Sequence, residues 1–201
     1  IEYLKNEMQN LGFEIKIAGK ENFPNIIGRL RTKGQSQRSL MLNAHMDTVP
    51  AGEESKWSYD PFAAQLKNSY VYGRGACDMR GQIAMLLTVV KAIRDNNLHL
   101  DGELALSFVS GHETGSINGS VYLVQNNPEL LRADLCFIPE PTNYNISVAS
   151  RGIYWVKAKT SGLNGHTATY NGVREDGSKI RPINAIHKMN KFINHLLDVD
   201  S

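Results

Sequence analysis

Two rhythms of apolar residues run along the chain. Ile1, Leu4, Met8 and Leu11 fall on one face of a 3.6-residue helix, which Gly12 closes. From Phe13 the period drops to two, with Phe13, Ile15 and Ile17 against Glu14 and Lys16, and this predicts a strand to Ala18. Asn25–Arg31 and Ser39–Ala44 predict two further strands around a polar turn at Lys33–Gln37, the later one apolar enough to be more fully buried. A long polar connection, Pro50–Lys67, carries Trp57, Tyr59, Pro61 and Phe62 before a short strand at Tyr70–Tyr72. Gln82–Arg94 predicts a helix whose apolar face is Ile83, Leu86, Leu87, Val90 and Ile93. Glu103–Val109 alternates as a strand, Ile117–Asn126 predicts a short helix, and Asp134–Ile138, Asn145–Ser150 and Ile153–Thr160 predict three more strands. Pro182–Leu197 is amphipathic, with Ile183, Ile186, Met189, Ile193 and Leu196 on one face. Strands alternating with helices predict an α/β fold, with a mixed sheet because some connections are hairpin-like.

Candidate chemistry collects where strands end. Ser39–Ala44 delivers His45, and Asp47 follows two residues later, on the same side of an extended chain. A carboxylate there can orient an imidazole whose other nitrogen holds a metal. Asp78, Glu113 and Glu140 also follow predicted strands, and in open α/β sheets sites are built at that edge. One imidazole and three carboxylates suit zinc, cobalt or manganese in a hydrolytic site, and a carboxylate between two metals would use them naturally. The plainer reading is a set of capped helix starts and strand ends.

Composition narrows the classes. The chain has 201 residues, 41% hydrophobic and 21% charged, which is the make-up of a globular protein with an ordinary core. A formal charge of +2 gives no drive toward nucleic acid, and no apolar run of about 18 residues predicts a membrane span. Two cysteines outside any CxxC pair fit a reducing, cytoplasmic setting.

The motifs have a recognisable order: His45-Met46-Asp47-Thr48-Val49-Pro50, Trp57, Asp60-Pro61-Phe62, Tyr72-Gly73-Arg74-Gly75-Ala76-Cys77-Asp78-Met79-Arg80-Gly81, Glu113-Thr114-Gly115-Ser116, Pro139-Glu140-Pro141-Thr142, Arg151-Gly152 and Gly165-His166. This series resembles the di-zinc aminoacylase-type metallopeptidase family of acetylornithine deacetylase, succinyl-diaminopimelate desuccinylase, aminoacylase-1 and the glutamate carboxypeptidases. The resemblance implies a zinc-exopeptidase-like catalytic domain over residues 1–150 and the start of an inserted α+β lid, or dimerisation, domain over 151–201. It implies two zinc ions, with cobalt or manganese as alternatives. His45 and Glu140 would serve one metal, Glu113 the other, and Asp78 both. Asp47 would orient His45, and His166 would steady the oxyanion. It also implies a small N-acyl amino acid or peptide substrate, and suggests a homodimer through the lid.

Two features depart from the family pattern. The family places its general base, a glutamate, immediately before the second-metal glutamate, and here that residue is His112, preceded by Gly111. Histidine can serve as a base, but loss of a positioned base costs about 10²–10⁴ in rate. A weakened amide hydrolase, a non-catalytic relative that binds metal or amino acid, a disabling substitution and a merely packed side chain all remain open at this position. The family's last metal-binding histidine lies in a C-terminal catalytic segment with no counterpart here. The second metal therefore lacks its last protein ligand, and His99, His187 and His195 match no motif.

Overall fold

The computed structural model describes residues 1–31, 34–149, 151–152, 156–165, 177 and 183–199. The chain divides into two compact units, 1–147 and 148–201. The first is built on a five-stranded sheet.

Helix α1 (Glu2–Asn10) leads into the hairpin of β1 (Glu14–Lys20) and β2 (Phe23–Arg31), and β3 (Ser39–His45) follows. A small antiparallel pair, β4 (Gln65–Lys67) and β5 (Tyr70–Tyr72), precedes α2 (Arg80–Asp95). Then come β6 (Glu103–Val109), α3 (Ser120–Asn126) and β7 (Leu135–Phe137). The sheet order is β1-β2-β6-β3-β7. The β1–β2 and β2–β6 pairs are antiparallel, while β6–β3 and β3–β7 are parallel. The sheet is therefore mixed, as the sequence predicts.

Period-two alternation divides the residues of the central strands β2, β3 and β6 between the two faces of the sheet. Ile26, Leu42, Ala44, Leu104, Leu106 and Phe108 face α1 and α2, where they meet Met8, Ile83, Leu86 and Val90. The opposite neighbours Ile27 and Val109 pack against Leu123 of α3. With helices on both faces, β6 buries Leu104–Val109 without a break, which explains its nearly continuous apolar run. Because β3, β6 and β7 run parallel, their carboxyl ends open on one rim.

Two sequence expectations fail for a shared reason. Among the described residues, 145–149 and 156–160 form no strand. Ile146, Val148 and Val156 are at least four-fifths exposed. Alternation marks residues able to line a sheet face, but it supplies no neighbouring edge.

In the second unit, α4 (Ala185–Val199) is preceded by an antiparallel bridge between Leu163 and Ile183. The Thr160 hydroxyl donates to the Ala185 carbonyl and the Lys188 ammonium to that of Ser161. Among the described residues, no helix is long and apolar enough to cross a membrane.

Candidate metal centre

Each chemical side chain reaches the rim by a different route. His45 is the last residue of β3, paired with Val109 of β6 and only 2% exposed. Past Val109, the loop 110–118 carries His112 and Glu113. Glu140 follows β7 by three residues.

Asp78 follows a strand too, but β5 belongs to the small second sheet, so the turn before α2 presents it rather than the main sheet. That turn is tight. A Cβ at Gly81 would lie 2.1 Å from the Ala76 carbonyl oxygen, and Gly75 adopts φ +82° with Thr48 beside it. The Arg80 guanidinium donates to the Met46 carbonyl, tying the turn to the segment after His45. The Asp78–Met79 peptide is cis.

The side chains converge. His45 Nε2 lies 2.9 Å from Asp78 Oδ1 and 4.0 Å from Glu140 Oε1. His112 Nε2 lies 3.8 Å from that same Glu140 oxygen, and its ring stacks on His45 with centroids 4.5 Å apart. Two triads have ligand atoms within 4.8 Å of one another: His45 with Asp78 and Glu113, and His45 with His112 and Glu140. His166 lies outside the described residues.

Asp47 works on two neighbours. His45 Nδ1 meets the Asp47 main-chain carbonyl at 2.9 Å, with a carboxylate oxygen 3.6 Å away. The carboxylate itself accepts from the main-chain N–H groups of His112 at 3.1 Å and Glu113 at 2.9 Å. The imidazole is thus oriented chiefly by backbone, and the side chain fixes the loop that carries His112 and Glu113.

Sequence reasoning missed a second residue that fixes this loop. Asn25 is fully buried; its side chain accepts from the Ser110 N–H at 2.8 Å and donates to the carbonyls of Asn118 and Ala18. It spans both ends of the loop. A polar residue at the mouth of an apolar strand is its only sequence signal.

Beside the carboxylates of Asp47 and Glu113 lies an open hollow of about 400 Å³, walled by Phe23, Met46, Val49 and Thr114.

A mixed α/β sheet gathers imidazole and carboxylate groups of a kind that can hold a divalent cation at its parallel-strand rim. The sequence profile of peptidase family M20/M25/M40 matches residues 41–190, and the chain belongs to that family. It is 31% identical to the N-formyl-4-amino-5-aminomethyl-2-methylpyrimidine deformylase of Bacillus subtilis, over 95% of this chain and 44% of that protein. It is 29% identical to the acetylornithine deacetylase of Edwardsiella ictaluri, over 98% of this chain and 48% of that one. Among solved structures, the M20 family metallo-carboxypeptidase of Sulfolobus solfataricus matches with a TM-score of 0.60 and 27% identity, over 68% of this chain and 31% of that one. The chain thus spans less than half the length of these relatives.

Proposed function

We propose that this chain carries metal-binding machinery of a zinc-dependent amidohydrolase, a deacylase or a carboxy- or dipeptidase, acting on N-acyl amino acids or small peptides. The buried His45 carries the reading. Its Nδ1 faces a carbonyl, which only accepts, so Nδ1 holds a proton. With Nδ1 engaged in this way, Nε2 is the ring atom turned toward the Asp78 carboxylate oxygen, 2.9 Å away, and toward Glu140. A carboxylate that close calls for a positive centre, which a ring proton or a cation supplies, and Glu113 and Glu140 nearby add further acceptors that favour a cation. Imidazole with carboxylates is a donor set for zinc, and for cobalt or manganese, so the residues fit a divalent cation.

In this reading His45, Asp78, Glu113 and Glu140 would hold two cations, with Asp78 serving both. When bound, the cations polarise the scissile carbonyl and acidify the attacking water. Asp47 holds His45 and the 112–113 backbone in register. The hollow beside Glu113 receives the substrate's apolar part. His166 would steady the oxyanion, residues 151–201 would begin a lid through which two copies pair, and the setting would be cytoplasmic.

The substitution at position 112 favours a second reading, a relative that binds metal or amino acid without turning it over. Zinc- or cobalt-loaded protein should hydrolyse at least one of the N-formyl, N-acetyl or N-succinyl amino acids or dipeptides, and His45→Ala should abolish this. His112→Glu should raise a weak rate by about 10²–10⁴ if it restores a positioned base. Amino-acid binding in calorimetry with no hydrolysis from either form would replace the first reading with the second.

A further inference from the structure

We propose that the His112 imidazole is a cation ligand, completing with His45 and Glu140 a His–His–carboxylate triad for one zinc-class ion. The inference rests on the metal-centre reading above and goes beyond it. It gives position 112 a coordinating role instead of a proton-carrying one.

Three observations lead there. Glu140 Oε1 is shared, 4.0 Å from His45 Nε2 and 3.8 Å from His112 Nε2. Zinc bonds of 2.0–2.1 Å in a tetrahedron set ligand atoms about 3.4 Å apart, so an ion would draw each imidazole nitrogen toward the Glu140 oxygen by about half an ångström. Next, the outer nitrogens are engaged. His45 Nδ1 meets the Asp47 carbonyl, and His112 Nδ1 lies 3.2 Å from the Ser116 hydroxyl. An Nδ1–H donated to that hydroxyl leaves Nε2 as the ligand atom, with the tautomer fixed by the partner outside. Finally, His112 has room to adjust. His45 is buried in the strand, whereas His112 is nearly half exposed, so its ring can turn out of the stack until both ring planes contain the ion.

Two imidazoles and one carboxylate are a donor set found in hydrolytic zinc sites, to which the shared Asp78 carboxylate would add a fourth donor. A second imidazole also shifts preference toward zinc and cobalt and away from manganese, which favours oxygen donors. An imidazole spending its Nε2 lone pair on a cation is no longer free to take a proton.

The test is cation binding by the chelator-treated full chain, followed by calorimetry with zinc and manganese and by the imidazole count in zinc-edge X-ray absorption. The expected result is two imidazoles per ion at one site, falling to one in His112→Ala, with zinc affinity reduced at least tenfold and manganese affinity little changed. Ser116→Ala should weaken zinc less than His112→Ala does. If the native chain binds zinc and His45→Ala loses it while His112→Ala binds equally well with an unchanged imidazole count, this inference falls and the metal centre stands. If the native chain binds no divalent cation, both fall.

Discussion

Asp47 shows how one side chain can set the geometry of several others. Its carboxylate oxygens take the two N–H groups that fix where His112 and Glu113 project, while its carbonyl takes the His45 Nδ1 proton. Asp47→Ala removes the first contact and keeps the second, so it should loosen the loop without releasing His45. Residues that orient ligands from outside typically cost 10–100-fold in metal affinity when changed, and calorimetry should find zinc binding weakened by about that factor with little change in circular dichroism. Asp47→Asn keeps one acceptor and should fall between; an affinity equal to native in Asp47→Ala would show that the loop holds itself. Asn25 acts from beneath the same loop. Its removal leaves the partly buried Ser110 N–H and Asn118 carbonyl without their partner, at up to about 1–3 kcal/mol for an unsatisfied group. Asn25→Ala should lose roughly that much stability in urea unfolding, with an unchanged denaturant slope.

At the scale of elements, the parallel strands are pinned at their starts as well as open at their ends. The Asp134 carboxylate, just before β7, accepts from the Ser39 N–H at 2.7 Å and from its hydroxyl at 2.8 Å, at the first residue of β3. These bonds hold the Asp134 carboxyl below its ordinary value. A group depressed in the folded state stabilises it above its unfolded value, and that contribution fades as pH falls through the folded value. Stability measured from pH 6 down to pH 2 should therefore decline less steeply in Asp134→Asn than in the native chain. Identical slopes would mean that solvent satisfies the carboxylate equally well unfolded. The small hairpin is a different case. Asn68 and Ser69 both take positive φ, at 50° and 64°, in the manner of a type I′ turn joining β4 to β5. A polar dipeptide between short strands was its signal, hidden because all of Gln65–Lys67 is exposed and shows no alternation in burial.

For the whole molecule, what could be read from the sequence follows from what each pattern measures. Glu103–Val109 was legible to the residue, and α2 to within two residues at its start, because burial imposes the period on the sequence. The approach of Glu113 and Glu140 to His45 was legible because a parallel sheet brings separate strand ends to one rim, whereas Asp78 arrives from the turn before α2. The alternating grip of Asp47, the support from Asn25 and the stacking of His112 on His45 were not legible, because they depend on which backbone groups a loop turns toward its neighbours. That convergence has a thermodynamic consequence. The candidate ligands come from β3, the turn before α2, the loop after β6 and the segment after β7, so a cation would add a link among four separate parts of the chain. An ion that binds only the folded chain stabilises it by about 2.7 kcal/mol at a hundredfold excess over Kd. At about 2–4 °C per kcal/mol for a chain of 150–250 residues, zinc at that excess should raise Tm by roughly 5–11 °C. A chelator should reverse the shift, and magnesium, which prefers oxygen ligands in an octahedral shell, should leave Tm nearly unmoved. The zinc-induced rise should shrink sharply in His45→Ala, because this imidazole belongs to both triads. An unchanged rise in that variant would mean that the ion binds somewhere other than the strand rim.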